Sequence, residues 1–203
     1  MKFAPIIYLI GMLLCILSLF MLIPALVDWF YGSRHWPAFI ASSLTTLIVG
    51  GALFFSARGS ATEHLELRQA FLLTNSAWIS IALFGSLPFL FSDINMSITD
   101  AIFESTSGIT TTGATVIDTL DSTSHGILIW RALLQWLGGV GIIVMALAIL
   151  PMLSIGGMQL FKTESYETPD KVVPKAASFA AGISIVYITL TTAWAFMLWG
   201  AGM

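Results

Sequence analysis

SITDAIFESTSGITTTGAT, residues 97–115, is the stretch on which the fold of this chain turns. Ser97, followed three residues later by Asp100, is a helix N-cap signal, because a serine oxygen can accept the amide of the third helical residue. The spacing predicts a helix over residues 97–107. At 1.5 Å per residue its length is roughly 15 Å, about half of the hydrocarbon thickness of a bilayer. Such a piece can enter a membrane but cannot cross it. Residues 108–115 then replace helix formers with glycine and threonine, and Asp118 and Asp121 mark a polar return.

The flanks supply the membrane. The 203 residues are 57% hydrophobic and 9% charged, with a mean hydropathy of +0.92, whereas a soluble domain carries about a quarter charged residues. No charge falls between Lys2 and Asp28, Arg34 and Arg58, Arg68 and Asp93, or Arg131 and Lys162, nor after Lys175. Each window exceeds the roughly 20 residues that a transmembrane helix needs. Spans are therefore expected at 3–30, 36–57, 70–91, 127–150 and 178–199. The first is too long for a signal peptide and lacks a small-residue cleavage site, so it reads as retained. The fold class is an all-α integral membrane protein: an N-terminal transmembrane hairpin (1–57), a cytoplasmic linker (58–69), a span–pore loop–span repeat (70–150, filter segment 108–115), a cytoplasmic connection (151–177) and the first helix of a second, truncated repeat (178–203).

Loop charges orient the chain. Lys2, Arg58, Arg68, Lys162, Lys171 and Lys175 share one side, and Arg34 and Arg131 the other, which puts the N-terminus in the cytoplasm by the positive-inside rule. Trp29, Trp36 and Trp130 fall near predicted interfaces. The thin net charge of −3 gives no case for nucleic-acid binding, and a single cysteine, Cys15, excludes a disulfide framework. His35, His64 and His125 make no metal-ligand spacing. The glycines of Leu137-Gly138-Gly139-Val140-Gly141 lie inside a span, with no strand before them and no lysine after, so they are not a phosphate loop; close helix packing is their expected role.

A segment such as 108–115 suits a cation for physical reasons. An ion leaving water must recover oxygen ligands, and rings of backbone carbonyls supply them when successive carbonyls face the same way. An extended strand points them alternately, so some residues must take unusual dihedrals. Gly113 can reach positive φ without steric penalty, and Thr110, Thr111 and Thr112 add hydroxyls on stiff β-branched stems. The half-helix points its C-terminal end, which carries about half a negative charge, toward the membrane's middle. The bland reading of Thr110–Gly113 is a solvated outer loop without a ligand. Asp118 and Asp121 fit either a cation-concentrating mouth or ordinary loop residues. Glu104 is expected to be hydrogen-bonded behind the segment, or to assist the cation electrostatically. Arg131 is expected to snorkel to the interface, and Asn75 to bond a neighbouring helix.

The string from Phe103 to Thr115 resembles the first filter segment of Trk-type potassium uptake proteins. Gln135-Trp136-Leu137-Gly138-Gly139-Val140-Gly141-Ile142-Ile143-Val144, Leu150-Pro151 and Gly156-Gly157-Met158-Gln159-Leu160 continue the likeness, and the N-terminal hairpin is similar to the extra helix pair of the TrkH/TrkG branch. The resemblance implies potassium uptake across the bacterial inner membrane through four span–pore–span repeats around one pore. Thr110, Thr111, Thr112 and Gly113 would be the potassium-binding set, with Thr111 and Thr112 lending carbonyls and Gly113 serving as the filter glycine. It also implies homodimers, a cytosolic TrkA-type nucleotide-binding regulatory subunit, and no cofactor beyond the transported potassium ion. This chain would supply one filter strand of four. The competing reading of the same helices is a noncatalytic membrane scaffold or an inactive transporter fragment.

Overall fold

The computed structural model describes residues 3–60, 67–118, 120, 123–149 and 172–202. It divides into two compact units, 1–139 and 140–203. In the first, α1 (Ala4–Phe20) and α2 (Leu22–Phe30) form one apolar run interrupted at Met21, three residues before Pro24. A short turn leads into α3 (Trp36–Ser56), opened by Pro37 in its first turn, where a missing N–H costs nothing. A 3-10 turn at Arg58–Ser60 follows. The next apolar run is α4 (Leu67–Gly85) and α5 (Leu87–Phe91), split at Ser86 just ahead of Pro88. Then come the half-length α6 (Ile98–Ile109) and the long α7 (His125–Ile149). The second unit holds the last turns of α7 and α8 (Val172–Gly200).

Among the described residues, four helical runs are long and apolar enough to cross a membrane: Ala4–Phe30, Trp36–Ser56, Arg68–Phe91 and Ala181–Gly200. They coincide with four of the spans expected from the charge-free windows. The remaining expected span coincides with α7, whose 25 residues extend roughly 37 Å at helical rise. The predicted cytoplasmic connection falls mostly on 151–171, outside the described residues, as do 61–66 of the linker.

Small and hydroxylated residues join the hairpin. A Cβ on Gly50 would come within 2.8 Å of Leu14 Cβ, so α1 and α3 approach at a distance that only glycine tolerates. Ser43 Oγ donates across to Ser18 O at 2.8 Å. One apolar core then ties the hairpin to the rest of this unit: Leu14, Leu17, Met21, Ala25 and Phe39 meet Phe89, Ala101, Ile127, Trp130 and Leu134. Exposed apolar side chains such as Leu19, Leu26, Ile48 and Phe55 cover the outward faces of the same helices, as a lipid-facing surface requires.

Trp29 and Trp36 are exposed near helix ends, as expected of interfacial rings, but Trp130 is not. It is fully buried, and its Nε1 donates to Gly85 O at 2.9 Å. The break before Pro88 sends the Phe89 amide to Ser86 O, and the indole meets the Gly85 carbonyl at that break. Asn75 also departs from expectation. Its Nδ2 donates at 2.9 Å to Phe71 O of its own helix, the i−4 carbonyl that a short amide can reach without a partner helix.

Candidate functional site

The site begins with the cap of α6. Ser97 Oγ accepts the Asp100 amide at 3.2 Å and also donates to the Asp100 carboxylate at 2.7 Å, so the predicted cap forms. The helix runs 12 residues, Ile98–Ile109, ending two residues later than the spacing suggested, and remains far too short to span.

Its C-terminal end decides the path of the chain. Thr111 N–H donates to Gly108 O at 2.9 Å and Thr112 N–H to Ser107 O at 3.0 Å. This pair of bonds is the Schellman arrangement, which closes a helix through a left-handed residue that is usually glycine. Here that residue is Thr111, with φ 60°. A β-branched side chain in this region is strained, on the order of 1–2 kcal/mol. Two residues later Gly113 is left-handed again, with φ 78°. Thr112 and Ala114 are not among the positive-φ residues, so handedness alternates from 111 to 114. That alternation prevents the to-and-fro carbonyl pattern of an ordinary strand. Gly113 was legible in the sequence as the residue free to do this; Thr111 was not, because its conformation comes from the cap and not from its own preference.

The back of the segment is pinned. Ser107 Oγ donates to Ala114 O at 2.6 Å. Glu104, one turn earlier on the same face of α6, accepts from Thr115 Oγ1 at 3.0 and 3.2 Å and from the Val116 amide at 3.0 Å. Arg131 Nε donates to the same carboxylate. The Glu104 side chain is fully buried and that of Arg131 partly so. A carboxylate at this depth is tolerable because amide, hydroxyl and guanidinium donors all converge on it. The expectation for Glu104 thus holds in its hydrogen-bonded form, while that for Arg131 is corrected: its head group turns inward to the carboxylate and does not snorkel to the interface.

The segment's front is open. Thr110 to Val116 are all solvent-exposed, and none of the bonds just described uses the carbonyls of Thr110, Thr111, Thr112 or Gly113. Thr110 Oγ1 donates to Thr106 O at 2.7 Å and lies 2.9 Å from Thr112 Oγ1. The four candidate residues therefore form one contiguous free edge. Asp118 is exposed beyond it; Asp121 lies outside the described residues.

α7 forms the wall behind. A Cβ on Gly138 would sit 1.9 Å from Ile109 O, so this glycine lets the spanning helix touch the last turn of α6. Packing is thus the role of Gly138. Leu134 lies against Gly108, where an added Cβ would meet it at 3.0 Å. At the other end of α7, His125 opens the helix and stacks on Tyr31, with ring centroids 4.3 Å apart.

Apolar spans on either side of a half-helix, followed by an irregular segment pinned from behind, define a multi-pass membrane protein with a pore-loop repeat. The comparisons with known proteins narrow that class. The family model described as TrkH, cation transport protein, matches residues 35–202, and the chain belongs to that family. It is 43% identical over 206 aligned positions to the Trk system potassium uptake protein TrkH of Escherichia coli K12, and 44% identical to the protein of that name in Vibrio parahaemolyticus. Against TrkG of Escherichia coli K12 the identity is 35%, over 89% of this chain. The crystal structure of the potassium transporter TrkH from Vibrio parahaemolyticus matches all of this chain with a TM-score of 0.86 at 42% identity. The chain spans 42% of the length of the TrkH relatives and 40% of that crystallised chain.

Proposed function

We propose that this chain supplies one of four filter strands of a potassium uptake pore in the bacterial inner membrane, its N-terminus in the cytoplasm. The observation that carries this reading is the contiguous run Thr110–Gly113. Its φ values alternate in hand, its back is bonded to α6, and its carbonyls are left out of those bonds. A cation entering such a run exchanges water oxygens for main-chain oxygens. Thr111 and Thr112 contribute carbonyls, Gly113 provides the turn of the backbone, and Thr110 closes the inner end. The negative pole of α6 faces the same place. Potassium is the transported ligand, and no cofactor or catalytic step is assigned.

A single strand contacts an ion from one side only. The other three strands belong to the part of the relatives' length that this chain does not span. The assembled transporter is a homodimer served by a cytosolic TrkA-type nucleotide-binding subunit. The names of the relatives, potassium uptake proteins, support potassium as the ion, and the six-to-two distribution of basic residues supports the orientation.

The test is Gly113→Val in a complete transporter carrying these residues, expressed in cells that lack their own potassium uptake. A β-branched residue at φ 78° adds a second strained position two residues after Thr111, and Gln135 Nε2, only 3.3 Å from the new Cβ, must give way, so the strand is pushed out of register. Uptake should fall by at least about 100-fold at unchanged membrane abundance, about 2.7 kcal/mol of lost function. Wild-type uptake and selectivity in this variant would remove the filter assignment.

A further inference from the structure

We propose that Asp28, in the N-terminal hairpin, is a positioning residue for the filter segment, acting through α7 and the Arg131–Glu104 pair; the inference rests on the filter reading above. Asp28 is fully buried near the end of α2. Its Oδ1 accepts the Gly126 amide at 2.7 Å and its Oδ2 the Ser124 hydroxyl at 3.2 Å. Ser124 Oγ in turn accepts the Ile127 amide at 3.3 Å. A carboxylate from another helix therefore caps the N-terminus of α7, where free amides and the positive end of the dipole favour an anion. The fit leaves no slack: a Cβ on Gly126 would lie 2.5 Å from Asp28 Cγ and Oδ2.

What α7 does next makes the latch consequential. Arg131 follows Gly126 by about one and a half turns, roughly 7.5 Å along the axis. Between them Trp130 bonds Gly85. Arg131 meets the same Glu104 carboxylate that holds Thr115 and Val116, and Gly138 touches Ile109 O. A shift of α7 by a single residue's rise, 1.5 Å, is about three times the spread of hydrogen-bond lengths, roughly 0.5 Å, so it would detach Arg131 from Glu104. The hairpin lies outside the span–pore–span repeat, yet it sets the axial position of the helix that the filter leans on.

The test uses the complete transporter in potassium-uptake-deficient cells, with membrane abundance measured for every variant. Asp28→Asn keeps the shape and one acceptor but weakens the hold on the α7 amides. Gly126→Ala leaves the carboxylate and forces it aside. We expect about a threefold rise in the KM for potassium with the first and about tenfold with the second, with sodium discrimination falling in parallel and maximal rate less affected. Combined with Glu104→Gln, either change should add little, because both act on one chain of contacts. Unaltered KM and discrimination in both variants would overturn the proposal. So would effects that multiply independently with Glu104→Gln, or a loss of abundance with selectivity intact. If Gly113→Val also leaves selectivity unchanged, the filter reading itself has failed; if Gly113→Val abolishes uptake and the Asp28 and Gly126 variants do nothing, only the role of the hairpin has.

Discussion

Helices α3 and α6 both carry polar side chains, and they use them in opposite ways. In α3, Ser42 donates to Ala38 O, Thr45 to Ala41 O and Thr46 to Ser42 O, each at 2.7 or 2.8 Å. Those hydroxyls return to their own helix at i−4, so most of α3's polar groups are satisfied within the segment. In α6, Ser107 reaches out to Ala114 and Glu104 to Thr115 and Val116. The polar groups of the short helix satisfy a piece of chain that has no regular structure of its own. Irregular backbone in an apolar setting needs something else to complete its hydrogen bonds, and α6 does so for the segment that follows it. The lesson is that polar residues in an apolar helix are to be read by where their bonds end.

The comparison is sharpest at Glu104. Glu104→Ala removes one buried acceptor from three donors at once, leaving Arg131, Thr115 and the Val116 amide without it. We expect a loss of about 3–5 kcal/mol in local stability and collapse of potassium over sodium discrimination, read by competition uptake. Glu104→Gln should be milder, because it retains an acceptor for Val116. Ser107→Ala comes next: it frees Ala114 O and should cost about 1–2 kcal/mol, seen as a several-fold rise in the KM for potassium. Thr46→Val in α3 is the contrasting case. The hydroxyl removed there returns to its own helix and otherwise meets only the weakly accepting Met21 sulfur, at 3.8 Å, so thermal unfolding should shift by about 1 kcal/mol or less and uptake should stay as it was. A Thr46→Val variant as damaging as Ser107→Ala would break the distinction between the two helices.

Much of this was legible in residues. The Ser97–Asp100 cap and the ten-residue spacing announced a helix too short to cross, and the charge-free windows located the spans, because both signals are local. Gly113 announced itself through the one residue type that is free at positive φ. Three features were not legible. Thr111 looks like an ordinary threonine, and its left-handed backbone arises from the closing bonds of α6. Trp130 and Arg131 look like interfacial anchors, but Gly85 and Glu104 turn them inward. Asp28 looks like the polar end of a span, and nothing near it in sequence hints at Gly126, 98 positions away.

By itself, then, the sequence determined that the chain belongs in a membrane, where it is apolar enough to cross, and where a capped helix is too short to do so. Those are matters of length, charge and local propensity, which a bilayer reads one segment at a time. Only the tertiary structure decided which side chains hold the segment after that helix in place. A buried carboxylate is tolerated solely where donors from distant segments converge on it, and that convergence exists only once α2, α6 and α7 have packed.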